Sequence, residues 1–259
     1  MDSDSESDDP FDDSASESSI SIDGDEVWLT NLRMIKENDP RADGLFGNGD
    51  VEAIQNMTNE EWEELGRDIA ANNYFWFMRF THVALNDHKM SFLFRGLNRS
   101  SSIINMNLYD NGLSVAGIRS MVPFLQNANN LKYLFLYDNN IQSEGFNLLF
   151  RALCDSPIEK LQCNRCDIES IEVGIDHIPK NLKVIILDNN NINADGCRGL
   201  AKLLQGGDSN LEELYLENNQ IDDEGVAILV DSLQRNTKLT TLDLRKNDGI
   251  SNQGKIMLR

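Results

Sequence analysis

Cysteine is scarce in this sequence. Four in 259 residues cannot build a disulfide scaffold, so reduced thiols in the cytoplasm, or in the nucleus, are the plain expectation. Nowhere do 18 apolar residues run together, so no membrane-spanning helix is expected. The acidic N-terminus has neither the apolar stretch of a secretory signal nor the basic character of a transit peptide. Lys and Arg number 23 against 43 Asp and Glu, and the net charge of −20 argues against direct binding to nucleic acid or an anionic membrane. No P-loop, G-x-S-x-G, H-E-x-x-H or dinucleotide fingerprint appears. His82, His88 and His177 are scattered, with no nucleophile in a recognised pattern beside them. The expectation is a protein that is not an enzyme and needs no cofactor or metal.

What the chain does have is a repeat. Leu211–Leu233, LEELYLENNQIDDEGVAILVDSL, is its clearest copy. Leu211, Leu214 and Leu216 alternate as in a strand with one buried face, and Asn219 and Ile221 follow. Leu229 and Leu233 have helical spacing, with Asp222 placed as an N-cap. Such a strand–loop–helix unit cannot bury its apolar flanks alone and needs stacked neighbours. The template recurs from Ile103, Leu131, Ile158, Leu182 and Leu239; the six starts are separated by 28, 27, 24, 29 and 28 residues, and a degenerate copy begins at Phe75.

The stretches NLYDNGLSVAG, LFLYDNNIQSEG, IILDNNNINADG and LYLENNQIDDEG resemble the leucine-rich repeat family, in its ribonuclease-inhibitor-like subclass of about 28–29 residues per unit. The resemblance covers residues 75–259. It implies an α/β solenoid, a curved right-handed superhelix with a parallel sheet on the concave side and helices on the convex side. Relatives in that family include inhibitors, immune sensors, actin-filament caps and Ran GTPase-activating proteins, so the fold does not choose a partner. A protein-binding module is the leading expectation, and a regulator of a small GTPase the alternative.

The other segments read as follows. Residues 1–26 hold 11 of the acids and no Lys or Arg, a composition that cannot bury enough apolar surface to order itself. Ser3, Ser5 and Ser14 each have an acid three residues later, as acidophilic kinases require. Residues 27–74 read as a helical N-terminal cap, with Leu29, Leu32 and Ile35 on one face and Thr58–Glu61 a capping box. That last helix is expected to cover the end of a first strand at 77–80. GLFGNG at 44–49 lacks the Lys-Ser/Thr ending of a phosphate loop and reads as a flexible connector. Pro123 is expected to kink or shorten a helix over 115–127. The unit from Ile158 is too short for a full helix and is expected to cross the convex side irregularly. The stretch after Asn247 ends before a complete helix or polar cap, which implies that the natural chain continues or that this edge self-associates.

Register assigns roles within the units. Asn111, Asn139, Cys166, Asn190, Asn219 and Asn247 share one slot and are expected to form an interior ladder that satisfies the turning backbone. Cys163 falls on an inward Leu slot, so the Cys163–Cys166 pair, without a second C-x-x-C or spaced histidines, reads as core. Strand residues between the inward positions face the concave side. Tyr109, Tyr133, Phe135, Tyr137, Val184, Ile186 and Tyr215 gather in these slots, where folding does not require apolar groups. Two readings stand: aromatics supporting one another across strands, or the anchors of a protein partner. Asp188, Glu213, Glu217 and Asp243 beside them point to basic groups on that partner.

Overall fold

The structure, a computed structural model, describes residues 24–258 apart from 99, 101, 175–177 and 208. The acidic segment through residue 23, with Ser3, Ser5 and Ser14, and His177 therefore lie outside the described residues. Residues 24–26, assigned to the acidic tail by composition, instead open helix α1 (Gly24–Lys36), where Asp25 and Glu26 sit beside the free N–H groups of the first turn.

Strands β1 (Gly44–Asn48), β2 (Phe77–Thr81), β3 (Asn105–Asn107), β4 (Tyr133–Phe135), β5 (Lys160–Gln162), β6 (Val184–Ile186), β7 (Glu213–Tyr215) and β8 (Thr241–Asp243) form one eight-stranded sheet in chain order, every pair parallel. Met78, Met106, Leu134, Leu161, Ile185 and Leu214 occupy equivalent inward positions, all fully buried. Helices α3 (Asn59–Ala71), α4 (Asp87–Leu97), α5 (Val115–Leu125), α6 (Gln142–Ala152), α7 (Ala194–Gln205) and α8 (Asp223–Leu233) pack on the other side of this core. The arrangement is a β–α solenoid.

Polar side chains set the helix starts. Asn86, Ser114, Asn193 and Asp222 cap α4, α5, α7 and α8 by accepting first-turn N–H groups, and Thr58–Glu61 caps α3 reciprocally. Pro123 does not shorten α5, whose 11 residues equal those of α4, α6 and α8. Between β5 and β6 the described residues hold no helix. Ile171 and Val173 cover that part of the core directly, and the Ile171 carbonyl lies where a Cβ on Gly199 of α7 would be.

The N-terminal region departs from the sequence reading. GLFGN is not a connector but strand β1, paired with β2 over five residues from Gly44–Phe77 to Asn48–Thr81. The short helix α2 (Glu52–Gln55) and α3 complete a first unit, and α3 packs on α4 rather than closing an end. The space inside Gly47 is filled by Phe80 and Ile54, so a residue without a side chain fits a slot that elsewhere holds a large one. Among the described residues, helix α1 covers this end. It uses Trp28 and Ile35, both buried, with Leu32 against them; Leu29, placed on the same face by the sequence reading, is 57% exposed. At the other end the last described helix, α9 (Asn252–Met257), spans six residues.

Turns repeat as well. Asp110, Asp138, Arg165, Asn189, Asn218 and Lys246 each hold a left-handed backbone, with φ between 48° and 57°, immediately before the ladder residue. Asp and Asn tolerate this conformation because their short polar side chains bond locally, which accounts for the recurring Asp-Asn and Asn-Asn pairs.

Candidate protein-binding face

The ladder side chains fix the geometry of the concave side. Asn190 Oδ1 accepts the N–H groups of Cys166 and Ile168 at 2.9 and 3.1 Å, and its Nδ2 donates to the carbonyls of Cys163 and Leu187, each at 2.9 Å. Asn111, Asn139, Asn219 and Asn247 repeat the pattern between their own and the preceding unit. In the Cys166 rung a thiol donates to the Leu136 and Asn164 carbonyls at 3.3 Å. Cys163 and Cys166 are fully buried. Burial, with the Cys166 thiol adjacent, pushes the Cys163 thiol up. Among the described residues no group of His, Cys, Asp or Glu could hold a metal ion, and no helix is long and apolar enough to cross a membrane.

Held by this ladder, the outward positions line up in columns. One runs Phe77, Asn105, Tyr133, Lys160, Val184, Glu213 and Thr241; the next runs Arg79, Asn107, Phe135, Gln162, Ile186, Tyr215 and Asp243. Tyr109, Tyr137, Asp188 and Glu217 follow in the turns. Tyr109 and Tyr137 stack with ring centroids 4.2 Å apart and planes 16° from parallel, and the His82 ring meets Tyr109 edge-on at 4.7 Å. Burial, with the carboxylates of Asp138 and Asp110 adding, pushes the Tyr109 phenol up.

Phe135 requires a correction. Sequence reasoning placed it among exposed anchors, but it is 8% exposed, with the Lys160 ammonium 5.6 Å from its ring centre. It is a floor beneath the face. Tyr109, Tyr133, Tyr137, Val184, Ile186 and Tyr215 are half-buried and contribute to the surface. Sequence reasoning also missed Phe46, which projects from β1 at 61% exposure and packs against Phe77 at 4.9 Å; the Trp76 ring centre lies 5.6 Å from that of Phe77. The alternation of Leu45 and Phe46 was the available signal, masked by the glycines around it.

The far end is acidic and partly neutralised. Arg245 bridges Asp243 at 2.7 Å and Glu217 at 2.8 Å, and Lys246 reaches Glu217 at 2.7 Å. Burial pushes the Asp188 carboxyl up to about 6; the Glu217 N–H donated to its Oδ1 at 2.7 Å opposes this, while Asp243 and Glu217 reinforce it. The Tyr215 phenol, buried and donating to Glu213 at 2.9 Å, is raised to about 12. Of the acids singled out, Asp188 and Glu213 are thus not bridged by Arg245 or Lys246 in the way Glu217 and Asp243 are.

Comparison with known proteins places this geometry. The family described as Leucine Rich repeat matches residues 207–229 and 235–258. Over 198 residues the chain is 26% identical to the ribonuclease inhibitor of Mus musculus, covering 74% of this chain and 43% of that one. To the ribonuclease inhibitor of Sus scrofa it is 26% identical over 205 residues, 76% of this chain and 45% of that one. A solved structure titled Leiomodin-1 Actin-Binding Site 2 superposes with a TM-score of 0.43 at 18% identity, over 51% of this chain and 75% of that one. The chain spans under half the length of the curated relatives it matches.

Proposed function

We propose that the chain, a leucine-rich repeat solenoid similar to the ribonuclease inhibitors, acts by binding a protein partner on its concave face, without catalysis of its own. The carrying observation is the Tyr109–Tyr137 stack with Tyr133, Val184, Ile186 and Tyr215 continuing it across successive strands. The sealed core of Met78, Leu134, Leu214 and their equivalents does not need these side chains. Half-buried tyrosines on a pre-organised sheet offer large contact area at small entropic cost, the usual character of interface anchors. The curated relatives are named as inhibitors of ribonuclease, a name that describes action on another protein and supports the same reading.

The acidic end gives the partner a polarity. Asp188 and Glu213 take a basic group, which competes with Arg245 for Glu217 and Asp243. Affinity capture from cell extract with the full chain, followed by titration of the purified partner, tests the proposal. Tyr137→Ala is expected to weaken binding at least tenfold, about 1.4 kcal/mol. Arg119→Ala, on exposed α5 and paired only with Glu144 among its described ion pairs, leaves affinity unchanged. Equal affinity for the Tyr137→Ala variant and the parent moves the site off this face.

A further inference from the structure

Helix α1 carries two apolar faces. Trp28 and Ile35 are buried in the core, whereas Leu29, 57% exposed, and half-buried Leu32 lie on a second face. One apolar face is enough to cover the end of a solenoid, so the second needs a separate explanation. It forms one wall of a cleft of about 400 Å³ between α1 and α3, with half-buried Met57, just after α2, lining it as well. Both walls have helical spacing: residues 29, 32, 33 and 36 of α1, and residues 61, 64, 65 and 68 of α3. Spacing of i, i+3, i+4 and i+7 puts each set on one helix face, two turns or ~10 Å long.

The groove is fixed before anything enters it. Lys36 of α1 bridges Glu64 of α3 at 2.6 Å. The Asp25 carboxylate, at the start of α1, accepts the Ala53 N–H at 2.9 Å, and the Asn72 amide donates to the Ile35 carbonyl at 3.1 Å near its end. Two charges on the walls are nevertheless unmatched. Arg33, exposed on α1, makes no ion pair or side-chain hydrogen bond among the described residues. The side chain of Asp68, half-buried on α3, likewise meets no salt bridge or hydrogen bond among them. Burial pushes the Asp68 carboxyl up; Lys36 and Arg67 oppose this and Glu64 reinforces it. The neighbouring Glu61 is occupied, accepting the Thr58 N–H at 2.7 Å.

A base on one wall and an acid on the other, above apolar side chains, match an amphipathic helix. Such a helix inserts apolar residues at helical spacing and carries charges of either sign on its two flanks. A small apolar ion would leave one of the two charges unmatched. An anionic membrane is the poorer fit too, because three acids line the α3 wall.

We propose that the groove between α1 and α3 is a second docking site, which takes an amphipathic helix of a protein partner: its apolar stripe on Leu29, Leu32 and Met57, an acid against Arg33 and a base against Asp68. The site lies at the N-terminal end of the solenoid and needs nothing of the concave face.

The test titrates the full chain into a fluorophore-labelled helical peptide of leucine, alanine, glutamate and lysine, followed by anisotropy. Its glutamates lie on one side of a leucine stripe and its lysines on the other. Saturable binding is expected. Leu29→Asp, a change to an exposed side chain, is expected to weaken it at least tenfold, and Arg33→Glu or Asp68→Lys at least threefold. Combining Arg33→Glu with Asp68→Lys reverses the polarity of the groove, so the same peptide docks in the opposite direction and affinity returns. Arg235→Glu, which changes net charge as much as Arg33→Glu but lies beyond α8, and Tyr137→Ala on the concave face are expected to leave affinity unchanged. No saturable binding at millimolar concentration, indifference to Leu29→Asp, or equal weakening by Arg33→Glu and Arg235→Glu overturns the proposal. So does a double variant no tighter than its single-site versions. Loss of binding on Tyr137→Ala assigns the peptide to the concave face, and apparent affinity that falls as protein concentration rises assigns the groove to a second copy; either overturns it.

Discussion

Replacing Asn190 by Ala removes five hydrogen bonds from one buried point. The side chain is 6% exposed, and its loss strands the N–H groups of Cys166 and Ile168 and takes a donor from the Cys163, Leu187 and Asp188 carbonyls. A buried donor left without a partner costs about 1–3 kcal/mol. The carbonyls retain other acceptor geometry, so the two N–H groups dominate and the expected loss is ~3 kcal/mol. For a chain of this length that lowers the melting midpoint by roughly 6–12 °C, since each kcal/mol is worth ~2–4 °C. The site is also poorly buffered: the unit before it has no convex helix among the described residues, and its own rung is a thiol, a weak partner. Urea unfolding followed by circular dichroism measures the effect. Asn191→Ala is the control, because that neighbouring side chain bonds the exposed Asp167 and Gln220 side chains; its cost stays under ~0.5 kcal/mol. Asn190→Ala within ~0.5 kcal/mol of the parent, or equal to Asn191→Ala, refutes the ladder as a source of stability.

Three further outcomes follow from the same geometry. Cys166→Asn restores a side-chain acceptor in the one thiol rung and raises stability by ~1 kcal/mol, read as a higher urea midpoint at unchanged slope. Asp188 has a folded-state value raised from the ordinary 3.8 to about 6, so its contribution to stability is fully present below 3.8 and is lost as pH rises through about 6. Asp188→Asn keeps the acceptor for the Glu217 N–H and removes that penalty, so it stabilises by ~1 kcal/mol at pH 7.5, a figure reduced from the full shift because the group is only half-buried. The gain is expected to vanish near pH 4, and a gain constant across this range contradicts the assignment. Gly199→Ala drives a methyl into the Ile171 carbonyl and is expected to cost more than ~2 kcal/mol, whereas Gly207→Ala, with open space around it, is expected to cost little.

Much of this was legible in the sequence because the solenoid writes one instruction repeatedly. Leu134, Leu187 and Leu216 could be assigned inward and Tyr137 and Tyr215 outward from alternation alone, and the coordinates bury the first three completely. The unit after Ile168 was too short for a helix, and none is described there. What escaped notice depended on residues far apart in the chain. β1 was hidden because Gly47 leaves its inward slot to be filled by Phe80 and Ile54, and a strand that borrows its core from a neighbour reads as a loop. Phe135 is buried with the Lys160 ammonium of the next strand 5.6 Å from its ring centre, a neighbour its own unit cannot reveal. The phase of α1 turned on Trp28, whose ring meets Phe80 at 6.0 Å across the first two units. Exposure of the candidate site is likewise set by neighbours, whereas its register is set locally.

The concave face is tested most directly by hydroxyl-radical footprinting of the chain alone and with its captured, purified partner. Four of the five tyrosines, Tyr109, Tyr133, Tyr137 and Tyr215, sit on that face and Tyr74 outside it at 46% exposure, so each molecule carries its own control. The account predicts that Tyr109, Tyr137 and Tyr215 lose reactivity on binding while Tyr74 does not. Loss at Tyr74 with the other three unchanged would contradict it.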